Sequence, residues 1–183
     1  MISGPSGVGK TTITRGVESR FDDAVFSVSC TTRPKSEKDR EGVDYRFVTP
    51  DAFRQMVADD QMLESAEVYG NFYGTPRGPI DEALSAGKLV LVEIDVQGAK
   101  QVKEKMPGAF GVFVLPPSDE ALLERLRGRG REGEDVIQRR FQRAQDEIAA
   151  ARASGVYDLF VVNDELERAL GEVVGAVEEQ RVR

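Results

Sequence analysis

One glycine-rich loop near the start of the chain restricts the possible folds more than any other feature. Residues 4–11 read GPSGVGKT, which matches the pattern G-x-x-x-x-G-K-[ST], and a helical pattern follows from Thr11. Glycines let successive backbone N–H groups turn towards a phosphate group, and the helix N-terminus and Lys10 add positive charge. The alternative is a flexible loop that only caps a helix. The alternation of strands and helices around the loop favours a nucleotide-binding loop in an α/β fold.

Four short apolar runs predict strands that are buried on both faces of a parallel sheet. They are residues 25–29, 89–94, 110–115 and 159–162. Helical patterns separate them, as at residues 118–126, where Ser118 is suited to cap a helix, and this alternation predicts a three-layer αβα domain. The last helix, capped by Asp164, is predicted to pack on the sheet through an apolar stripe. The stripe consists of Leu166, Leu170, Val173, Val174 and Val177.

Two stretches interrupt the alternation. Residues 33–78 interleave aromatic residues with glycines, which predicts an inserted subdomain of short strands and turns. Residues 127–135 carry glycines between charged residues, which predicts a mobile lid.

Composition excludes several kinds of chemistry. The 183 residues include no His and one Cys, so catalytic Ser-His-Asp triads, His-ligated metals, disulfides within the chain and thiolate clusters are excluded. The 25 Lys and Arg against 32 Asp and Glu give a net charge of −7, which makes a long nucleic acid an unsuitable partner. No apolar run approaches the length of about 18 residues needed for a membrane span, and no signal-peptide pattern is present. We therefore expect a cytoplasmic protein without membrane contact.

An anionic ligand of such an acidic chain requires a local excess of positive charge. Residues 125–143 provide one, with seven Arg against three acidic residues. Arg140 flanks the apolar stripe of a predicted helix and is expected to face a cleft, whereas Arg131, Arg139 and Arg143 are expected to lie on a solvated face. The stripe consists of Ile137, Phe141, Ala144, Ile148 and Ala151.

Seven motifs together resemble those of guanylate kinases. They are GPSGVGKT, SVSCTTRP (27–34), GVDYRFV (42–48), LESAEVYGNFYGTP (63–76), LVEIDVQGA (91–99), LPPSDEALLERLRGRG (115–130) and VVND (161–164), and they cover nearly the whole chain in order. The resemblance implies phosphoryl transfer from ATP to GMP, with Mg²⁺ as cofactor. It also implies three parts. These are a core (residues 1–32, 79–116 and 143–183), a nucleoside monophosphate-binding region (33–78) and a lid (117–142).

The resemblance assigns the glycine-rich loop and three later residues to ATP. The implied set is Gly4, Pro5, Ser6, Gly7, Val8, Gly9, Lys10, Thr11, Thr12, Arg125, Arg129 and Asn163. Thr11 would bind Mg²⁺ directly and Glu93 through water, although Glu93 is alternatively a solvent-exposed acid at a strand end. The implied catalytic residues are Lys10, Arg33, Arg129 and Arg140. In-line transfer needs no covalent intermediate and no strong base, which agrees with the absence of His.

A second set of residues is implied to bind GMP. It consists of Ser29, Arg33, Tyr45, Glu64, Tyr73, Thr75, Asp95 and Arg140. Guanine presents two adjacent hydrogen-bond donors, which match the two oxygens of the Glu64 carboxylate, and adenine has no such pair. The alternative is that Glu64 faces water.

The predicted phosphate site of GMP departs from the family pattern. Arg33, Tyr45 and Tyr73 are implied to bind this phosphate, for which a guanidinium and two phenolic hydroxyls are suitable. A second Arg is usual three positions after the first, yet Ser36 stands there. Lys35, Lys38 or Arg40 are the candidates to replace it.

Two other functions are compatible with this fold class. A guanylate-kinase-like scaffold domain binds peptides and tends to lose the phosphate loop, which is intact here. A kinase for another small phosphorylated acceptor is disfavoured by Glu64, Tyr73 and Thr75. Monomer and homodimer both remain open. Only three residues precede Gly4, whereas strands commonly have about five or six, so we expect the natural polypeptide to begin upstream.

Overall fold

The computed structural model describes residues 1–68, 70–128 and 133–182. Helices and strands alternate along most of the chain, as the sequence predicts. In chain order they are β1 (Ile2–Ser3), α1 (Lys10–Glu18), β2 (Ala24–Phe26), β3 (Cys30–Thr31), β4 (Arg46–Phe47), α2 (Pro50–Ala58), β5 (Met62–Val68), β6 (Asn71–Pro76), α3 (Arg77–Ser85), β7 (Leu89–Leu91), α4 (Val96–Lys105), β8 (Val112–Leu115), α5 (Asp119–Arg127), α6 (Glu134–Ser154), β9 (Leu159–Val162) and α7 (Leu166–Val182). Across these described ranges, no helix has the length and apolar character that crossing a membrane requires.

The central sheet is parallel and has β1 in its middle. β1 pairs with β8, β8 pairs with β9, and β2 pairs with β7. A parallel bridge between Ile2 and Glu93 joins these two groups, which gives the order β2-β7-β1-β8-β9. The carboxyl end of β1 therefore carries the glycine-rich loop to the middle of the sheet edge, where ligands of open α/β folds bind.

Apolar side chains cover both faces of the central sheet. Val17 of α1 and Leu170 of α7 belong to the cluster on one face. Ile80 of α3, Val102 of α4 and Ala151 of α6 belong to the cluster on the other. Helices thus shield two faces of a parallel sheet, and the predicted α/β class is confirmed.

A second sheet lies within residues 30–76 and has the order β4-β3-β6-β5. Its longest pairing is the antiparallel one between β5 and β6. The predicted short strands are present, but the sheet begins at Cys30, ahead of the predicted boundary, and α2 was not predicted. A start signal for α2 was available in the sequence: Thr49 accepts a hydrogen bond from the Ala52 amide at 3.2 Å, and Pro50 occupies the first turn.

Three strands of the central sheet are shorter than their apolar runs. β2 ends at Phe26, β7 ends at Leu91 and β8 begins at Val112, whereas β9 matches its run. The backbone beyond β2 and β7 still bonds to its neighbours, since the Ser27 amide donates to the Leu91 carbonyl oxygen at 2.8 Å and Glu93 bridges to Ile2. This backbone carries Ser29, Glu93 and Asp95 towards the glycine-rich loop.

The predicted cap of α5 is confirmed, and the predicted stripe of α7 is confirmed in part. Ser118 caps α5 by accepting a hydrogen bond from the Ala121 amide at 3.1 Å. The stripe of α7 is buried at Leu170 but not at Leu166, which is 39% exposed. Leu166 is the first residue of the helix, and Ala169, almost one turn later, is buried instead.

Candidate active site

The glycine-rich loop has a backbone that only glycine can adopt at key positions. Gly9 has φ 96°, and a Cβ there would lie 2.6 Å from Nδ2 of Asn163. Gly4 has φ 153°, and a Cβ there would lie 2.5 Å from the carbonyl oxygen of Val114. The loop therefore lies against β8 and β9, and its shape is fixed by its neighbours as well as by its own glycines.

Two later side chains hold the loop through one carbonyl group. Asn163 is 8% exposed and donates from Nδ2 to the Val8 carbonyl oxygen at 2.8 Å. Arg125 donates to the same oxygen at 3.5 Å and to the carbonyl oxygen of Asn163 at 2.8 Å. Both were predicted to bind ATP, and in this structure both bond to the loop's backbone.

The predicted metal ligands lie next to each other. Thr11 Oγ1 donates to Oε1 of Glu93 at 3.0 Å, and Lys10 Nζ donates to the Pro5 carbonyl oxygen at 3.2 Å. The described residues contain no group of three or more His, Cys, Asp or Glu side chains that could hold a metal ion. One hydroxyl and one carboxylate fit Mg²⁺, which takes oxygen ligands and completes its shell with water and substrate phosphates.

A cavity of about 540 Å³ joins the loop to the second sheet. Its wall comes from the loop and α1, from β5 and β6, from the end of the β7 run, and from α6. The lining residues are Gly4, Ser6, Gly7, Gly9, Lys10, Thr11, Thr12, Ser29, Tyr45, Glu64, Ala66, Val68, Tyr73, Glu93, Ile94, Asp95, Arg140, Arg143, Ala144 and Glu147. Most of the predicted site residues thus share one cavity.

Glu64 is a buried carboxylate on the wall of this cavity. It lies on β5, is 5% exposed, and accepts a hydrogen bond from Thr75 Oγ1 at 2.6 Å. Burial is the main reason that the pKa of Glu64 is raised to about 7. The hydrogen bond from Thr75 lowers this pKa, and the charge of the nearby Asp95 raises it. The alternative of a water-exposed Glu64 is wrong.

Helix α4 packs directly behind Glu64. A Cβ on Gly98 would lie 2.6 Å from Oε2 of Glu64, so the carboxylate occupies space that only a glycine leaves. Gln101, one turn later, accepts from the Ser65 amide at 3.1 Å and donates to the Ser65 carbonyl oxygen at 2.9 Å. Neither residue was predicted to belong to the site, because the sequence does not show which strand α4 covers.

Arg33 lies one layer behind the cavity wall. Its guanidinium donates twice to Asp39, at 2.9 and 3.1 Å, and lies 5.5 Å from the ring centre of Tyr45. The Arg33 hydrogen bonds hold the pKa of Asp39 well below its usual range. Arg33 does not line the cavity, whereas Tyr45 and Tyr73 do.

Helix α6 presents more charge to the cavity than the helical wheel predicts. Arg140 lies there, with a guanidinium nitrogen 3.4 Å from Oγ of Ser6. Arg143 also lines the cavity, so its predicted place on a solvated face is wrong; it bonds to Glu147, which sequence reasoning missed. Arg129 and Arg131 lie outside the described residues.

A glycine-rich loop after the central strand of a parallel sheet, opening on a charged cavity, is typical of phosphate-binding α/β proteins. A family model described as guanylate kinase matches residues 1–180. A guanylate kinase of Anaeromyxobacter dehalogenans is 48% identical over an alignment of 184 residues that covers 100% of this chain and 80% of the relative. One from Mycobacterium sp. (strain MCS) is 48% identical over 176 residues, 95% of this chain and 87% of the relative.

A solved structure agrees with these relatives. The crystal structure of guanylate kinase from Anaplasma phagocytophilum superposes with a TM-score of 0.77 at 31% identity, covering 100% of this chain and 85% of that one. The chain belongs to the guanylate kinase family.

Proposed function

We propose that this protein transfers the γ-phosphoryl group of ATP to GMP, giving ADP and GDP. One observation supports this most directly: a single cavity is lined both by Lys10 of the glycine-rich loop and by the buried carboxylate of Glu64. A donor phosphate and an acceptor base could therefore bind side by side in one cavity. The family membership points to the same reaction.

Glu64 supplies base recognition. A buried carboxylate that already accepts from Thr75 still has lone pairs for two adjacent donors, which guanine N1–H and its 2-amino group provide. Adenine would leave a buried carboxylate oxygen unpaired, which is unfavourable. Ser29 and Asp95 line the same cavity and complete the acceptor site in this proposal.

Phosphoryl transfer requires charge stabilisation more than bond-making by the protein. Lys10 and Arg140 lie along the loop side of the cavity and would hold the transferring phosphate between donor and acceptor oxygens. Thr11 and Glu93 would hold Mg²⁺, which neutralises charge between the β- and γ-phosphates when bound. Arg33 and Arg129 remain proposed catalytic residues on the family pattern alone.

The three-part organisation stays a proposal. In it, residues 33–78 bind the acceptor, residues 117–142 close over the donor, and the rest forms the core. ATP and GMP are the proposed partners, and cytoplasmic residence remains a prediction from the sequence.

A panel of acceptors tests the proposed function. ADP release from ATP and Mg²⁺ is measured with GMP, dGMP, AMP, CMP and UMP. We expect efficient turnover with GMP and dGMP only. Equal rates with AMP, or no acceptor-dependent ADP release, would contradict the proposal.

The raised pKa of Glu64 predicts a pH dependence of base binding. The ionised carboxylate accepts both guanine donors, so affinity should fall as Glu64 becomes protonated below its pKa of about 7. Guanosine is the suitable probe because it has no phosphate that titrates near pH 6. We expect its Kd to be about tenfold higher at pH 6 than at pH 8. Glu64→Gln should remove the dependence, and a flat profile in the unaltered protein would contradict the role.

Gly98→Ala is expected to impair acceptor binding although alanine favours helices by about 1 kcal/mol. The new Cβ would displace the Glu64 carboxylate, so we expect the KM for GMP to rise at least about tenfold with the KM for ATP unchanged. Gly171→Ala is the matched control, because nothing lies within 4 Å of its Cβ position in α7. An unchanged KM for GMP in Gly98→Ala would show that the carboxylate is free to shift.

A further inference from the structure

The proposed acceptor carries a phosphate group, and the basic residues near Ser36 do not reach the cavity. Arg33 is engaged by both oxygens of Asp39, and Arg40 forms a similar pair with Asp44. The side chain of Arg40 is 70% exposed. None of the basic residues between 33 and 40 lines the cavity, so the residues predicted to replace the missing Arg lie outside it.

Another guanidinium lies on the cavity wall. Arg143 follows Arg140 by three residues, one turn along α6, and both line the cavity. Glu147, four residues further on, accepts from Nε of Arg143 at 3.0 Å, and its side chain is only 25% exposed. This bond holds the Arg143 guanidinium through its Nε, at a position where the side chain lines the cavity.

Successive turns of α6 line the cavity through Arg140, Arg143 and Glu147. Arg140 approaches Ser6 of the glycine-rich loop. Glu147 lies close enough to Lys10 and Asp95 for both to influence its pKa, which burial raises. Asp95 in turn influences Glu64. Arg143 therefore shares this cavity with the loop and with the base-recognition carboxylate, so the phosphate of a nucleoside monophosphate bound there would meet a guanidinium of α6.

We propose that Arg143 binds the phosphate of the acceptor nucleotide and that Glu147 is a positioning residue that holds its guanidinium at the cavity wall. The proposal rests on the proposed function, since it needs a nucleoside monophosphate in this cavity. It also accounts for Ser36: the second guanidinium comes from α6 instead of from the segment after Arg33. A guanidinium suits a phosphate because it donates two parallel hydrogen bonds.

Binding without turnover separates this role from others. The Kd values of GMP and guanosine are measured by calorimetry without ATP, for the unaltered protein and for Arg143→Gln. We expect Arg143→Gln to weaken GMP binding at least about tenfold and to leave guanosine binding within about twofold, because only GMP has the phosphate. The KM for ATP should also stay within about twofold. Arg143→Lys, which keeps the charge without the paired donors, should fall in between.

Arg139→Gln is the matched control, since Arg139 is on the same helix, 72% exposed and paired with Asp135. It should change none of these values. The role of Glu147 is tested by a double-mutant cycle: Glu147→Gln should weaken GMP binding alone but add little in an Arg143→Gln background.

Each other outcome is distinct. Equal weakening of GMP and guanosine binding would indicate a structural role for Arg143. A raised KM for ATP alone would place Arg143 on the donor side, and unchanged GMP binding would show that Arg143 does not bind the ligand. Each of these three results would overturn the inference. Thermal unfolding of every variant identifies a folding defect, in which case Arg143→Lys provides the comparison. If the unaltered protein neither binds nor phosphorylates GMP, the proposed function itself fails.

Discussion

Lys10→Ala is expected to lower kcat with ATP, Mg²⁺ and GMP by about 10²- to 10³-fold or more, since one cation aimed at the transferring phosphate stabilises charge in the transition state. Lys10 is half-buried at the start of α1, and its Nζ donates to the Pro5 carbonyl oxygen at 3.2 Å. One cation of the loop contributes to transition-state charge and not to the packing of the core, so we expect the fold to stay in place. The measurement is steady-state ADP release, alongside thermal unfolding.

Lys100→Ala is the control for this experiment, because Lys100 is an exposed residue of α4 that does not line the cavity. It should keep full activity. If Lys10→Ala retained activity within about tenfold of the unaltered protein, the loop would not have the proposed role in transfer.

Glu64→Gln is expected to lower the preference for GMP over AMP by a factor as large as the loss of kcat in Lys10→Ala. A site built around two donors rejects a base that lacks them by about 10⁴-fold in kcat/KM, so the unaltered protein should prefer GMP to AMP on that scale. Glutamine presents an NH₂ group to a guanine donor, and most of the preference should disappear. Glu67→Gln is the control, because Glu67 lies on the same strand and is exposed. A retained preference for GMP in Glu64→Gln would contradict the assignment.

The same substitution should stabilise the ligand-free protein at alkaline pH. The folded-state pKa of Glu64, about 7, lies above its ordinary value of 4.5, so the folded protein holds this proton more tightly than the unfolded chain does. Its contribution to stability is therefore complete below pH 4.5 and is lost as pH rises through 7. The difference corresponds to about 3 kcal/mol. Denaturant unfolding of Glu64→Gln should show a gain of that order at pH 8 and little change at pH 4.

The sequence predicted the elements that local chemistry determines. The loop, the strand before it and the Ser118 cap follow from residue types at fixed spacings. Glu64 was assigned through the family motif, and its burial was visible only in the structure, because β5 and α4 meet through Gly98 and Gln101. Such long-range packing leaves no periodic signal in the chain.

Arg143 illustrates a different limit. A helical wheel gives the direction of each Cβ around an axis, and it assumes that one face of the helix is buried. Helix α6 packs against two different apolar clusters. Ile137 and Ala144 belong to the cluster formed with α5, and Ala151 belongs to the cluster on the central sheet. The cavity lies beside this contact, and a long Arg side chain reaches it from a position that the wheel places in solvent.

The hydrogen bond from Asn163 to Val8 determines when, during synthesis of the chain, the glycine-rich loop can reach its final shape. It spans 155 residues, so the loop near the start of the chain acquires its brace only after β9 has been synthesised and has paired with β8. Contacts this distant in sequence form late, because the loop-closure entropy is lost before they contribute. A nascent chain that ends before β9 carries the whole GPSGVGKT motif but lacks the strand that shapes it. We therefore expect the loop to reach its native shape only in the completed sheet, after β9 has been synthesised.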